Sequence, residues 1–327
     1  MRQPKQTGEP YVLAGKRLVF TNWLYIRPGA FAWVNAKGEN VSVTGSEGPW
    51  DAHFVRYDWP HGIRLVAQPA QRVGPIIKSE RRWEAIGIQA GTLIKDGSKY
   101  RLWARCASEG RSDPCYFESE DGINWRRPAL GLVKLDEEET NILDFGVGTV
   151  FIDPVAPPEE RYKCVELTTM SYEDFEEYKK RRPDGWEPRA KREDVQGVFY
   201  IYGGVSPDGI HWKRLPEPLV VEHSDTQIVA YYDERLGTYV MYTRNWYIGE
   251  KWEGAPEEWG RVWHWLGRRA IGRTESEDFR RFPVSQVILA PPLSMPPSDV
   301  LYTNCKTTVP GAPDHHLMFP HCVAYGG

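Results

Sequence analysis

A seven-residue stretch recurs in this 327-residue chain and predicts how the chain folds. Ser119–Trp125 reads SEDGINW, and Ser206–Trp212 reads SPDGIHW. A third, degenerate copy, SEDFRRF, occupies Ser276–Phe282. Asp-Gly favours a tight turn between two strands, and the aromatic residue that follows can begin the next strand and pack on the sheet. Each copy therefore predicts a strand–turn–strand unit whose aspartate shapes the turn and carries no chemistry.

A second repeat precedes each copy of the first. It consists of an apolar strand, a turn that carries an aspartate, and a strand that contains tyrosine. The three copies are Thr92–Trp103, Val150–Val165 and Val229–Tyr242, with turn aspartates at Asp96, Asp153 and Asp233. Together the two repeats predict units of four antiparallel strands, which is the pattern of a propeller blade. We therefore predict an all-β chain built as a β-propeller.

The spacing of the repeats predicts the domain organisation. Residues 171–195 are highly charged and favour a short surface helix with a loop, whereas residues 246–266 form an insertion with five tryptophans. A fourth unit begins near Asp299 and stops at Gly327 without a Ser-x-Asp turn, so the propeller is predicted to be incomplete at its C-terminus. We expect residues 1–80 to form a β-rich segment that packs on the blades of residues 81–327. Any remaining gap would favour a homo-oligomer, because exposed strand edges associate.

Composition excludes several classes of function. The formal net charge is −4, without the basic bias of a nucleic-acid-binding protein. The N-terminus shows no secretory signal, and no stretch approaches the ~20 apolar residues of a membrane span. The five cysteines are scattered and include no Cys-x-x-Cys pair, which favours reduced thiols in a cytoplasmic protein.

Several of these segments resemble a known superfamily. They are the YRLW strand at Tyr100–Trp103, the two Ser-x-Asp-Gly-Ile-x-Trp turns, and the run YYDERLGTYV at Tyr231–Val240. Over roughly residues 83–320 the chain resembles the five-bladed propellers of arabinanases, invertases and levansucrases. The resemblance implies a central funnel lined by acidic residues at the starts of the innermost strands. Hydrolysis there would use one carboxylate as nucleophile or base and another as acid. The Asn-Asp-Pro-Asn, Arg-Asp-Pro and Glu-Cys-Pro signatures of invertases are absent.

The repeat register selects candidate carboxylates. Asp225 lies about eight residues before the turn aspartate of the third unit and is the leading candidate for nucleophile or base, against the alternative of a strand-start cap. Asp299 opens the fourth unit and is a candidate for positioning the substrate. Glu84, upstream of the first unit, is the candidate acid. Glu166, on a middle strand, is a weaker candidate.

Substrate contacts and ligands complete the expectations. Four side chains are expected to contact a saccharide: His223, Gln227, His316 and Trp263. A metal at the cluster of His315, His316 and His321 is disfavoured, because adjacent strand residues face opposite sides of a sheet. We therefore expect neither a metal nor another cofactor, and a carbohydrate as the partner.

Three functions remain open from the sequence. The first is a glycoside hydrolase or transglycosidase, and the second is a non-catalytic carbohydrate-binding or scaffold propeller. The third is a sugar phosphorylase of related fold, for which Arg268, Arg269 and Arg273 would supply a phosphate pocket. Two or more carboxylates across a central funnel would favour hydrolysis, and a funnel with at most one acid would favour binding.

Overall fold

A computed structural model describes most of the chain from residue 74 onward. The described residues are 37, 69, 71–72, 74–192, 197–247, 267–292, 294–296, 299–309 and 312–324. The chain divides into two compact units, of which the first comprises residues 1–73 and 308–316 and the second comprises residues 74–307 and 317–327. The second unit carries the three large sheets described below.

The first sheet is a four-stranded antiparallel meander. Its strands, in spatial as well as chain order, are β1 (Gly87–Asp96), β2 (Lys99–Ser108), β3 (Arg111–Ser119) and β4 (Trp125–Arg126). A bulge interrupts the β1–β2 register between Ala90 and Thr92. It falls at Gly91, where a Cβ atom would lie 2.9 Å from the carbonyl oxygen of Trp103, so glycine permits this close approach. A small hairpin follows, formed by β5 (Lys134–Leu135) and β6 (Glu138–Glu139).

The second sheet repeats this arrangement. Its main strands are β7 (Thr149–Ile152), β8 (Tyr162–Met170), β10 (Gly197–Ser206) and β11 (Lys213–Arg214), and the short strand β9 (Lys191–Arg192) pairs with β10. Between β8 and β9 lies the one α-helix of the described residues, α1 (Tyr172–Arg181), which Ser171 caps by accepting a hydrogen bond from the Asp174 amide at 3.0 Å.

The third sheet has the same strand order. It comprises β12 (Val229–Asp233), β13 (Thr238–Tyr247), β14 (Arg268–Ser276) and β15 (Gln286–Leu289). The remaining strands pair two by two: β16 (Asp299–Leu301) with β19 (Cys322–Ala324), and β17 (Lys306–Val309) with β18 (Ala312–Met318). The residues that the structure describes include three 3-10 helices, at Arg82–Glu84, Pro158–Glu160 and Pro188–Ala190. No helix among the described residues is long and apolar enough to cross a membrane.

The three repeated turns lie where the sequence predicts them. Each connects the third and fourth strands of one sheet: β3 to β4, β10 to β11, and β14 to β15. In the second copy the Ser206 hydroxyl accepts the Gly209 amide at 2.9 Å, and the Asp208 carboxylate accepts the amides of Ile210 and His211 at 2.9 and 2.8 Å. The aspartate therefore organises the turn, and the prediction that it is structural is confirmed.

Successive sheets pack face to face through apolar side chains. One cluster joins the first and second sheets, with Trp103 and Tyr116 packed against Tyr162 and Cys164. A larger cluster joins the second and third sheets through Phe151, Ile201, Tyr239, Met241 and Phe279, among others. Burial of these apolar side chains, mostly from strands, is the main force that holds the sheets together.

The same interfaces carry a repeated polar contact. The hydroxyl of Tyr162 on the second sheet donates to Asp96 in the turn of the first sheet. The hydroxyl of Tyr239 on the third sheet donates to Asp153 beyond the end of β7 at 2.7 Å. Tyr162 and Tyr239 hold equivalent positions, since each pairs with the serine that begins a repeated turn, Ser206 and Ser276.

The remaining predictions of organisation have mixed outcomes. The helix in residues 171–195 is confirmed, although its Phe175 and Tyr178 are buried against the second sheet rather than lying on the surface. The fourth unit does contain a strand at Asp299, but within the described residues its strands form two-stranded sheets instead of a four-stranded one. Most of the predicted N-terminal segment, residues 1–80, lies outside the described residues.

Candidate functional site

A cavity of about 420 Å³ opens where the first strands of the three sheets begin. Residues 89–91 lie in β1, residues 147–149 lead into β7, and residues 226–228 directly precede β12; all of them line the cavity. The second strands contribute Trp103, Ala104, Arg105, Val165 and Glu166, and Thr303 and Cys305 complete the wall. We call this space the three-sheet cavity. All of its lining residues belong to the second compact unit.

The polar groups of the first two sheets meet on the cavity wall. Gln89 on β1 pairs in register with Arg105 on β2. The guanidinium of Arg105 lies 3.6 Å from the carboxylate of Glu166 on β8, which also accepts the Leu167 amide at 2.8 Å. Glu166 is therefore a carboxylate on the wall of the cavity, and Arg105 provides an opposite charge beside it.

Gly148 makes room for this carboxylate. A Cβ atom at Gly148 would lie 2.3 Å from the Val165 carbonyl oxygen and 2.8 Å from Oε2 of Glu166. Contacts under 3 Å are sterically forbidden for carbon, so any larger side chain would displace Glu166 or the strand that carries it. The absence of a side chain at residue 148 thus determines where the Glu166 carboxylate can lie.

The third sheet is tied to the segment that completes the wall. The side chain of Asn304 donates to the backbone carbonyl of Gln227 at 3.0 Å, and Oε1 of Gln227 accepts the Cys305 amide at 3.2 Å. Cys305 has a φ of 43°, an unusual value for a residue other than glycine, asparagine or aspartate. The bonds to Gln227 help to hold this conformation, which places Cys305 on the cavity wall. We call residues 302–305 the closing segment.

Asp225 lies two residues before Gln227 and four before β12. Its carboxylate forms an ion pair with Arg244, and its second oxygen lies 3.6 Å from Nε2 of His223. The Arg244 and His223 side chains are fully buried, whereas 33% of the Asp225 side chain is exposed. Burial raises the pKa of Asp225. The His223 ring and the charge of Arg244 lower it by a larger amount, so the pKa is about 2. Asp225 is therefore ionised at neutral pH.

Two aromatic neighbours and a backbone hydrogen bond hold His223 in place. Its ring stacks on Phe199 with 5.1 Å between centroids, and it packs against Trp246 at 5.8 Å. Its backbone amide donates to Glu187 at 3.0 Å. Because the side chain is fully buried beside Asp225, these contacts orient the carboxylate. The expectation that His223 itself contacts a saccharide stays a prediction.

Glu84 lies in a buried ion pair of its own. Its side chain is fully buried at the end of a 3-10 helix, where Oε1 accepts Nε of Arg127 at 2.6 Å and Oε2 accepts Nη2 of Arg127 at 3.0 Å. Oε2 also accepts the amides of Glu80 and Arg81. Such a fully bonded carboxylate holds a chain segment in place, and Glu84 is not among the residues that line the three-sheet cavity.

The other candidates are distributed as follows. Asp299 begins β16, and its carbonyl oxygen accepts Nε of Arg268 at 2.9 Å. Gln227 lines the cavity, whereas His316 lies in β18 and is exposed. Trp263 lies outside the described residues. The structure thus brings Asp225 and His223 together and places Gln227, two residues further along, on the cavity wall; Asp225, His223 and Glu84 are not among the lining residues.

The arginines considered for a phosphate pocket have other contacts. Arg268 donates to backbone carbonyls, Arg273 pairs with Glu275, and Arg269 lies over the rings of Trp246 and Tyr302 at 5.1 and 5.4 Å. None of the three lines the three-sheet cavity. In the described part of the chain, no group of three or more His, Cys, Asp or Glu side chains is arranged to hold a metal ion.

Comparison with known proteins gives weak structural similarity. No family model and no curated protein sequence matches the chain. Among solved structures it is similar to the beta-1,2-mannobiose phosphorylase from Listeria innocua, with 14% identity over 67% of this chain and 50% of that chain and a TM-score of 0.39. A glycosyl hydrolase from Bacteroides ovatus has 13% identity over 67% of this chain and 59% of its own, with a TM-score of 0.37. A thermostable family-43 glycoside hydrolase has 17% identity over 64% and 55%, with a TM-score of 0.35. This chain spans about half to three fifths of the length of these glycoside hydrolases and phosphorylases.

Proposed function

We propose that the chain is a glycoside hydrolase-like protein that binds a saccharide in the three-sheet cavity. The observation that carries the proposal is the convergence of the first strands of three repeats, at residues 89–91, 147–149 and 226–228, on one cavity. In this account the three sheets are blades of a five-bladed propeller. Five unpaired thiols support the proposed cytoplasmic location.

The chemistry of the cavity wall suits a saccharide. Donors and acceptors for sugar hydroxyls are present on the amides of Gln89 and Gln227 and the hydroxyls of Thr226 and Thr303. Among the described lining residues the single arginine, Arg105, lies 3.6 Å from the single carboxyl group, Glu166, so the wall has no arginine standing apart to select an anionic ligand. The cavity volume of about 420 Å³ lies within the range of small-molecule sites. The largest ligand that it can enclose is therefore a short oligosaccharide.

Hydrolysis requires two carboxylates in different protonation states. Asp225, with a pKa of about 2, is ionised and suited to act as nucleophile or base. Both carboxylate oxygens of Glu84 accept hydrogen bonds from Arg127. We therefore propose Glu166 as the acid that gives its proton to the leaving oxygen. Asp299 keeps the proposed role of positioning the substrate.

Reducing-sugar release from a panel of di- to pentasaccharides tests this proposal. The wild-type protein should hydrolyse at least one of them, and Asp225→Asn or Glu166→Gln should lower kcat by about 10²–10⁴-fold, as expected for loss of acid–base catalysis. Glu118→Gln is the matched control, since this half-buried carboxylate on β3 also pairs with an arginine but lies outside the cavity. Hydrolysis that persists unchanged in both site variants would exclude the assignment.

Non-catalytic saccharide binding is the second candidate function. It is favoured by the cavity lining, which contains a single carboxylate, Glu166, among the described residues. Binding without turnover over the whole panel would select this candidate. A hydrolase should turn over a saccharide as wild type and lose that turnover in Asp225→Asn and Glu166→Gln, whereas a binding protein should show no turnover as wild type or in any variant.

A further inference from the structure

We infer that Arg244 is a positioning residue that couples Asp225 to the closing segment, and so fixes the reactive carboxylate relative to one wall of the cavity. This inference rests on the proposed role of Asp225. Arg244 lies on β13, the second strand of the third sheet, where 1% of the residue is exposed. From there its side chain contacts both segments.

The guanidinium group joins two parts of the chain that are far apart in sequence. One terminal nitrogen donates to Oδ1 of Asp225, and the other donates to the carbonyl oxygen of Tyr302 at 3.2 Å. The guanidinium carbon lies 4.2 Å from the centroid of the Tyr302 ring, so the group is also stacked on an aromatic face. Asp225 and Tyr302 are therefore held at a fixed separation by one rigid, planar group.

Gln227 provides a second tie between the same two segments. It accepts the amide of Cys305 and the side-chain amide of Asn304, so the closing segment is anchored at Tyr302 by Arg244 and at residues 304–305 by Gln227. Two residues of the segment line the cavity. Thr303 lies between the two anchors, and Cys305 is part of the second one. Backbone hydrogen bonds to residues 319 and 321 also hold the segment, so loss of the first anchor should loosen it at Tyr302 and free the Asp225 carboxylate at the same time.

Lysine cannot replace the arginine in this arrangement. A guanidinium presents donors in a fixed fork, whereas an ammonium is a point charge on a flexible stem. His223, Arg244 and Arg269 act electrostatically on the Asp225 carboxylate, and Arg244 also donates to the closing segment. A methionine at position 244 would remove both the charge and the fork.

The experiment uses the full chain and requires no saccharide, so its result is independent of the proposed function. In a Cys322→Ser background, Cys305 is the partly exposed thiol, since Cys106, Cys115 and Cys164 are buried. The rate of iodoacetamide alkylation of Cys305 then reports the closing segment. NMR of 13C-labelled aspartate, assigned with Asp225→Asn, reports the titration of Asp225. Arg214→Met is the matched control, because Arg214 stacks on the Tyr202 ring at 3.9 Å but lies outside the cavity.

In Arg244→Met the alkylation of Cys305 should accelerate about tenfold or more, the change expected for loss of a hydrogen bond from a charged donor. The midpoint of the Asp225 titration should rise by about one to three pH units when the opposite charge is removed. Arg214→Met should change neither. If Arg244→Met does not fold, Arg244→Lys keeps the charge but lacks the fork, and faster alkylation is still expected. A folded variant with an unchanged alkylation rate overturns the coupling, and an unchanged Asp225 midpoint in Arg244→Met overturns it as well.

Discussion

The hydroxyl of Tyr239 donates to the carboxylate of Asp153 at 2.7 Å and thereby joins the third sheet to the second. The same carboxylate pairs with the buried ammonium of Lys163 at 3.2 Å. Tyr162 and Asp96 repeat the relationship between the second and first sheets. A polar contact that recurs at equivalent positions shows that the sheets are related by one packing geometry.

Removal of the Tyr239 hydroxyl should weaken the interface between these sheets. In Tyr239→Phe the buried Asp153 loses one of its donors, which should cost about 2 kcal/mol of unfolding free energy. Urea unfolding of wild type and variant measures the difference. Tyr232→Phe is the control, because Tyr232 packs edge-on against Tyr239 at 5.1 Å and its hydroxyl has no hydrogen-bond partner among the described residues. Equal losses in the two variants would show that the Tyr239–Asp153 bond is energetically unimportant.

Asp96 should make stability depend on pH in the acid range. The hydrogen bond from Arg161 lowers the pKa of Asp96, with help from Tyr162 and against the effect of burial, to about 2. Because the folded-state pKa lies below the unfolded value, the stabilisation is present above pH ~4 and is lost as the pH falls towards ~2. With 13% of the side chain exposed, it should amount to about 2 kcal/mol. Unfolding of wild type and Asp96→Asn from pH 7 to pH 2 should show a difference that shrinks over this window, and a constant difference would refute the assignment.

The repeated turn can be tested by adding one methyl group. Gly209 has a φ of 76°, and a Cβ atom there would lie 2.7 Å from the Trp103 ring of the neighbouring sheet. Gly97 has a similar φ of 60° but nothing within 4 Å of its Cβ position, which makes Gly97→Ala the matched control. The backbone cost of about 1–2 kcal/mol is common to both. Gly209→Ala should lose about 1–3 kcal/mol more through overpacking, measured by thermal unfolding. The turn does not pack on Trp103 as described if both variants are equally stable.

Asp225→Asn should lower stability as well as any activity. The substitution leaves the buried Arg244 without its counter-ion. Removal of one partner of a fully buried pair costs about 3–5 kcal/mol, so the one-third exposed Asp225 should cost about 1–3 kcal/mol. The double variant Arg244→Met/Asp225→Asn should recover part of this loss, and a double-mutant cycle by urea unfolding measures the coupling. Strictly additive losses would mean that the ion pair contributes nothing to folding.

The local parts of this architecture could be predicted from the sequence, and the long-range parts could not. The turn at Ser206–Trp212 depends on hydrogen bonds within three residues, so its sequence is sufficient to predict it. The role of Glu84 depends on Arg127, 43 residues away, and only folding brings the two together. The position of Glu84 in the repeat made it the candidate acid, whereas the structure places its carboxylate in a buried ion pair.

The cavity wall illustrates the same limit. Glu166 was the weaker candidate because it lies on a middle strand, yet the absence of a side chain at Gly148 leaves room for its carboxylate on the cavity wall. Asp225 was selected by register, but it precedes β12 by four residues instead of opening it. Two signals were available in the sequence: the glycines at residues 91 and 148, each near the start of a first strand, indicate places where backbones approach closely.

Saccharide binding by a cavity-blocked variant tests the central claim most directly. Ala90 lines the three-sheet cavity and is exposed, so Ala90→Phe fills the cavity at little cost to folding. Ala129, exposed and outside the cavity, provides the control Ala129→Phe. Titration calorimetry with the di- to pentasaccharide panel should show a ligand that binds wild type and Ala129→Phe alike and binds Ala90→Phe at least about tenfold more weakly, a loss of about 1.4 kcal/mol. Equal binding by Ala90→Phe, or no binding of any saccharide by the wild type, would contradict the account.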